Sequence, residues 1–239
     1  PGFIPEGVGG FFELIKGRVV LPANGNLYRF RRVIWHELVH VFTFHRAFQV
    51  LRDHRVPPDR FLPLWFTEGL AEYWSGPPDD QHEMILRDAL YANYLVPLEN
   101  MYRIYGTFLM YKEGEALCHF IAETYGEEKL LELIEQFWID RDFRRVLEHV
   151  LGEDFYAISD RWERWLKRRY LPDLPNQSLP SLAAHTVVAR GFSTKPVVYR
   201  RQDGRQMVYY LGNEGAYTHL YALPVDSART HTHWARRTL

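Results

Sequence analysis

Residues 33–48 read VIWHELVHVFTFHRAF and contain the pattern HELVH over residues 36–40. Residues four apart lie on one face of an α-helix, so His36 and His40 can present two imidazoles to the same metal ion. Glu37 lies about 100° around the helix from His36, where its carboxylate can reach water at that metal. The neighbouring residues are apolar almost all round the helix, which predicts that the helix is buried in a core. Because buried imidazoles and carboxylates are costly without partners, the stretch indicates a metal site.

The composition of the 239 residues is that of an ordinary globular protein, 46% hydrophobic and 25% charged, with a formal net charge of −1. This balance gives no electrostatic basis for binding nucleic acid or an anionic membrane. No apolar run approaches the roughly 18 residues that a transmembrane helix needs. Cys118 is the single cysteine, which excludes an intrachain disulfide and a thiolate zinc site. Composition leaves the oligomeric state and the compartment open.

A second motif, WFTEGLAEY over residues 65–73, follows a loop whose prolines end the first helix. Zinc held by two histidines needs a third protein ligand and keeps its fourth position for water. Glu68 and Glu72 lie one turn apart on one helix face. One of them can therefore bind the metal, while the other contacts a metal-binding side chain without touching the metal itself.

HELVH followed by W-x-x-E-G-x-A-x-Y resembles the gluzincin zinc metallopeptidases, especially the aminopeptidase-N-like and bacterial peptidase MA groups. The resemblance implies that Glu68 is the third zinc ligand and that Glu72 orients His36. The gap between His40 and Glu68 is longer than in aminopeptidases, and the proline-rich loop can absorb the difference. The resemblance covers roughly residues 11–172, and it implies a periplasmic or extracellular location.

A third segment, MYKEGEA over residues 110–116, resembles the Y-x-x-G-A-like segment of aminopeptidase-N relatives. In those enzymes the tyrosine hydroxyl donates to the transition-state oxyanion, a role that this match gives to Tyr111. Tyr105 is the nearby alternative, and a packing role for either tyrosine stays open.

The chain as a whole is predicted to have an α+β fold. It is expected to consist of a mainly helical domain (residues 1–172), a proline-rich linker (173–181) and an antiparallel β segment (182–239). Phe11–Ile15 and Arg18–Pro22 are expected to form two brief strands, or a strand and a turn, before the zinc helix from Leu27 or Tyr28 to about Leu51. Apolar spacing predicts further helices over Asp79–Leu95, Tyr111–Thr124, Glu127–Phe137, Asp142–Leu151 and Asp154–Tyr170. In the last segment, strands are expected at Thr186–Ala189, Val197–Tyr199, Gln206–Leu211 and His219–Leu223.

The succession VVYRRQDGRQMVYY…HLYALP over residues 197–224 resembles one blade of a TolB-type β-propeller. Because a propeller needs four or more blades, the expectation is that either the protein continues past Leu239 or this segment folds back onto the helical domain. His231 and His233 form a short H-x-H that is interpreted as tail. A catalytically idle peptidase-like scaffold that binds through a propeller is the competing hypothesis.

The predicted chemistry is zinc-dependent hydrolysis of a peptide or protein substrate, with Glu37 as the general base. A zinc hydrolase acting on a different bond stays open. Aminopeptidases of the resembling family hold the substrate amine with a glutamate upstream of the zinc helix, whereas residues 17–24 contain no acidic residue. We therefore expect an endopeptidase, with substrate paired along Arg18–Leu21 and apolar side chains placed beside Trp65 and Phe66. If an amine anchor exists, Glu13 and Glu115 are the candidates.

Overall fold

Helix α1 (Leu27–Asp53) carries the HELVH pattern. It begins after Asn26, whose side-chain oxygen accepts a hydrogen bond from the backbone N–H of Arg29 at 3.1 Å. Asparagine is a preferred N-cap because it satisfies one of the backbone donors that the first turn leaves without a helical partner. The helix ends at Asp53, ahead of Pro57 and Pro58, which cannot continue it.

The computed structural model describes residues 10–13, 18–21, 25–172, 188, 192–213, 218–225 and 237–238. The chain divides into two units, residues 1–172 and residues 173–239. The predicted linker, His231 and His233 lie outside the described residues. A membrane crossing would need a longer or more apolar helix than any in the described ranges.

The first unit consists mainly of helices that follow one another at short intervals. After α1 these are α2 (Leu64–Ser75), α3 (Asp80–Tyr91), a 3₁₀ helix (Leu98–Ile104), α4 (Phe108–Tyr125), α5 (Glu128–Gln136), α6 (Phe143–Leu151) and α7 (Phe155–Tyr170). Together with the strands, they confirm the predicted mainly helical α+β fold. The 3₁₀ helix had no counterpart among the predicted elements.

The helices pack around one apolar core to which all of α1–α7 contribute. Its largest fully buried side chains include Trp162, Phe66, Phe120, Leu70 and Leu117. Removing this apolar surface from water is the main stabilising contribution to the unit. Phe66 has no exposed surface, so it cannot contact a substrate in a cleft, and the expectation that it does so is wrong.

Helices α2 and α4 approach each other most closely where Gly69 faces Gly114. A Cβ atom added to Gly69 would lie 2.5 Å from the carbonyl carbon and the carbonyl oxygen of Gly114. Only glycine at this position leaves room for the neighbouring backbone. The contact brings Glu68 and Glu72 on α2 close to the polar residues of α4.

Two expectations about helices are corrected by the structure. Helix α1 is not buried all round, because Trp35 is 48% exposed and Phe42 is 68% exposed. Among the described residues, those of α1 that are buried are Glu37, His40, Thr43, Ala47, Val50 and Leu51. Helix α3 ends at Tyr91 and does not reach Leu95, since Asn93 adopts the left-handed conformation (φ 57°) that stops a helix.

The strands form two antiparallel sheets. In the first unit β1 (Phe11–Glu13) pairs with β2 (Arg18–Val20), with Phe11 opposite Val20. In the second unit β3 (Phe192–Arg200), β4 (Gln206–Asn213), β5 (His219–Pro224) and β6 (Arg237–Thr238) follow in that order. Tyr210 and Tyr221 stack on one face of this sheet, with ring centroids 5.3 Å apart. The propeller assignment for this sheet stays a prediction.

Candidate metal centre

Three side-chain atoms from α1 and α2 converge on one point. His36 Nε2 lies 3.2 Å from His40 Nε2 and 3.3 Å from Glu68 Oε2, and His40 Nε2 lies 3.2 Å from Glu68 Oε2. The two histidines are one turn apart on α1, and Glu68 reaches them from the first turns of α2. Within the described part of the chain, these three side chains form a group that is arranged to hold a metal ion.

The dimensions of this triangle fit a tetrahedral zinc ion. For metal–ligand bonds of about 2.0–2.1 Å, two ligand atoms of a tetrahedral site lie about 3.3 Å apart. The observed separations of 3.2–3.3 Å are close to this value. Two imidazole nitrogens and one carboxylate oxygen also form a common donor set of catalytic zinc sites. The three residues therefore suit such an ion in both spacing and chemistry.

Glu72 lies beside His36, on the side away from the ligand triangle. Its Oε1 is 3.4 Å from His36 Nδ1, so the ring contacts Glu72 with one nitrogen and points the other at Glu68. A carboxylate behind a ligating imidazole fixes the tautomer and the direction of the ring. Burial raises the pKa of Glu72, but its hydrogen bond to His36 and the charge of Lys112 outweigh burial and hold that pKa well below its usual range.

Within the triangle, His36 and Glu68 shift each other's pKa in opposite directions. Burial lowers the pKa of His36, but hydrogen bonds to Glu68 and Glu72 outweigh it and raise the pKa to about 9. Burial raises the pKa of Glu68, but hydrogen bonds from His36 and His40 outweigh it and lower the pKa to about 2. The protein thus holds an ionised carboxylate against a protonated imidazole, and a cation can take the place of that proton.

Glu37 lies on α1 between the two histidines, and its carboxylate is buried. Burial raises its pKa, against the opposing charges of His36 and His40. Its Oε2 is buried and makes no hydrogen bond within the described residues. Oε1 faces the chain just ahead of β1, where a Cβ at Gly10 would come within 2.8 Å of it. One oxygen of this carboxylate thus makes no hydrogen bond, and a glycine leaves room beside the other, so the group can accept a proton from water.

Tyr111 on α4 faces the same three acidic residues. Burial and the nearby charges of Glu68, Glu72 and Glu37 raise the pKa of Tyr111 to about 12. The other candidate, Tyr105, is 69% exposed and lines an apolar cavity. The structure therefore brings Tyr111 to the predicted ligands and leaves Tyr105 apart from them.

A group of charged residues behind the triangle was missed by reasoning from the sequence. Lys112 and Glu115 on α4 and Arg32 on α1 are buried or nearly so, and all three contact each other or Glu72. Burial lowers the pKa of Lys112, but Glu115 and Glu72 outweigh it and raise that pKa. The signal available in the sequence was a lysine and a glutamate three residues apart, within one helical turn of each other on α4.

A cavity of about 310 Å³ lies beside α2 and the start of α4. Trp65, three residues before Glu68, forms part of its wall. Most other lining side chains are apolar, among them Leu64, Met101, Met110, Phe143 and Leu147. The residues that line this cavity do not include the ligand triangle, Glu37 or Tyr111, so the predicted contact of Trp65 with apolar substrate side chains stays a prediction.

Comparison with known proteins gives one match. A family model described as Peptidase MA superfamily matches residues 15–168, well over half of the chain. The matched region contains the ligand triangle, Glu37, Glu72 and Tyr111. No curated protein and no solved structure matches the chain.

Proposed function

Because the chain belongs to the peptidase MA superfamily, we propose that it is a zinc-dependent endopeptidase of the gluzincin type. Peptidases of this clan commonly depend on zinc. The observation that carries the proposal is the triangle of His36 Nε2, His40 Nε2 and Glu68 Oε2, with sides of 3.2–3.3 Å, beside a buried Glu37.

The proposed reaction is hydrolysis of a peptide bond. His36, His40 and Glu68 would hold a zinc ion, which would supply Lewis-acid chemistry for polarising the scissile carbonyl and acidifying water. Glu37 accepts a proton from the attacking water and passes it to the leaving nitrogen as the C–N bond breaks. Burial raises the pKa of Glu37, which makes its carboxylate a better proton acceptor than that of an exposed glutamate.

Tyr111 is proposed to donate its hydroxyl proton to the carbonyl oxygen while negative charge develops there. Its pKa of about 12 keeps the hydroxyl protonated at neutral pH, as a donor must be. Glu72 holds the ring of His36 through Nδ1, so that Nε2 stays directed at the ligand triangle.

The acidic residues near the site support an endopeptidase. A substrate ammonium would need a carboxylate of its own, because a buried unpaired charge is strongly unfavourable. Glu115, one of the two candidate anchors, is fully buried and already contacts His82 and Lys112. The side chain of Glu13, the other candidate, lies outside the described residues. Strand β2 (Arg18–Val20), in a sheet of only two strands, is where an extended peptide is proposed to pair.

We propose that the cavity beside Trp65 accepts an apolar side chain of the substrate. Its wall is formed largely by apolar and aromatic residues, and such walls bind side chains of the same character. A substrate with Phe or Leu near the cleavage point should therefore be cut faster than one with Asp or Lys there.

Turnover of internally quenched, N-acetylated peptides by the zinc-loaded protein tests the proposal. Glu37→Gln is the matched variant, since it removes the base and leaves the three ligands in place. We expect it to keep one zinc per chain and to lose at least 10²–10⁴-fold in kcat, the range typical of a missing general base. Glu113→Gln, a change of the same kind at a buried glutamate away from the triangle, should retain turnover.

Two results would count against this function. Faster cleavage of aminoacyl-nitroanilides, lost on acetylation, would identify an aminopeptidase. A wild-type protein that holds zinc but cleaves no peptide of the set would favour the idle scaffold.

A further inference from the structure

The carboxylate of Glu72 divides its two oxygens between the metal centre and the protein interior. Oε1 lies 3.4 Å from His36 Nδ1, and Oε2 lies 2.7 Å from Lys112 Nζ. Lys112 is only 3% exposed, so its ammonium has little access to water. The direction of Glu72 is therefore set from behind by a buried cation.

Lys112 is itself held by a second carboxylate. Glu115, one turn further along α4 and fully buried, places Oε2 at 3.2 Å from Lys112 Nζ. The same oxygen lies 2.6 Å from His82 Nδ1 on α3. A lysine fixed at two points in this way has little freedom to leave Glu72.

Arg32 completes the group from α1. Its NH2 lies 3.4 Å from Glu72 Oε2 and 3.9 Å from Glu115 Oε1. Arg32 NH1 also lies 3.5 Å from Asp79 Oδ2, so the two cations Lys112 and Arg32 meet three carboxylates. Arg32 NH1 also donates to the carbonyl oxygen of Pro77 at 3.2 Å, which ties the group to the segment before α3.

We propose that Lys112 is a positioning residue of the metal centre, which acts on His36 through Glu72. By holding Oε2, it leaves Oε1 for His36 Nδ1 and so fixes the ring that presents Nε2 to the ligand triangle. The inference rests on the proposed function only in that the triangle binds a divalent metal ion.

A role limited to stability is the alternative, and the physical chemistry argues against it. Buried ionic groups lose hydration that their mutual attraction often fails to recover, and apolar replacements of similar volume are frequently as stable. Here the ions are grouped behind one metal-ligating histidine. Partners behind a ligand are worth 10–100-fold in metal affinity in other zinc sites.

Zinc affinity, measured by competition with a chromophoric chelator, tests the proposal without reference to activity. The variants are Lys112→Met and the double variant Lys112→Met/Glu115→Gln. The double variant removes one charge of each sign, so that the net charge of the buried group is the same as in the wild type. Circular dichroism of the metal-free proteins verifies folding. Glu113→Gln is the control, because Glu113 is equally buried on the same helix but accepts from the backbone N–H of Val96.

We expect both Lys112 variants to bind zinc 10–100-fold more weakly than wild type, and the control to bind as wild type does. The visible absorption spectrum of the Co²⁺-loaded protein should change in the same two variants, since it reports the ligand geometry. A folded double variant with wild-type zinc affinity and an unchanged cobalt spectrum would overturn the proposal. An equal loss in the Glu113 control would also overturn it. A wild-type protein without zinc affinity would instead reject the metal centre itself.

Discussion

Replacing Gly69 by alanine tests how closely the metal centre depends on the contact between α2 and α4. The added Cβ would lie 2.5 Å from two backbone atoms of Gly114, whereas ordinary contacts begin at 3.4 Å. The helices must therefore separate by about 0.9 Å, because backbone atoms cannot turn aside as a flexible side chain can. Glu68 precedes this glycine directly, so it moves with the helix.

The expected losses follow from this displacement. Overpacking typically costs about 1–3 kcal/mol, and the better helix propensity of alanine offsets about 1 kcal/mol of that. A net loss of up to about 2 kcal/mol corresponds to a fall in Tm of roughly 4–8 °C for a chain of this size. Metal–ligand distances tolerate only about ±0.2 Å, so we expect zinc affinity to fall at least about tenfold.

Thermal unfolding and chelator competition on the same preparation provide the assay. Ala122→Gly on α4 is the control. It lowers helix propensity by about as much as Gly69→Ala raises it, and it adds no atom. It should lower Tm and leave zinc affinity unchanged. If Gly69→Ala kept both Tm and zinc affinity at wild-type values, the close contact would not position Glu68, and the reasoning would be refuted.

Three further predictions address other parts of the molecule. Tyr111→Phe should lower kcat far more than it raises KM, because it removes a hydrogen-bond donor needed in the transition state. Steady-state kinetics on a quenched peptide would measure both constants. An effect on KM alone would contradict the prediction. Burial raises the pKa of Glu113 from 4.5 to about 8, so the folded protein binds its proton more tightly than the unfolded chain. The free energy of unfolding should therefore fall as the pH rises from 4.5 to 8, by at most about 1.4 kcal/mol per pH unit. Urea unfolding of Glu113→Gln should show a flatter dependence on pH. Parallel pH profiles of the variant and the wild type would contradict this prediction. Deletion of everything after Pro175 should leave zinc occupancy and Tm nearly unchanged, and a large drop in either would show that the second unit shares the core of the first.

The local part of the site could be predicted from the sequence. His36 and His40 are one helical turn apart, as are Glu68 and Glu72, and this spacing fixes which side chains share a face. Caps and prolines likewise place most helix ends within a few residues of their observed positions. For these features, the information lies within about ten residues along the chain.

Features that depend on packing between distant segments could not be predicted in this way. The apolar pattern of α1 does not say which side other helices cover, so the exposure of Trp35 and Phe42 was missed. Lys112 reaches Glu72 only because two glycines let α2 and α4 approach closely. Glu72 and Lys112 are 40 residues apart in the chain, so no periodic pattern in the sequence indicates their contact. In the sequence alone, such charged residues are typical of an exposed helix surface.

The proposed metal ligands come from two separate helices, α1 and α2, with residues 54–63 between them. An ion that binds only the folded chain adds to the free energy of unfolding by mass action, about 4.1 kcal/mol when free metal is 1,000 times Kd. Total stabilities of natural domains are about 5–15 kcal/mol, so this contribution is a substantial fraction. Since proteases and chaperones act on the unfolded fraction, the zinc concentration of the compartment would set the lifetime and abundance of this protein as well as its loading.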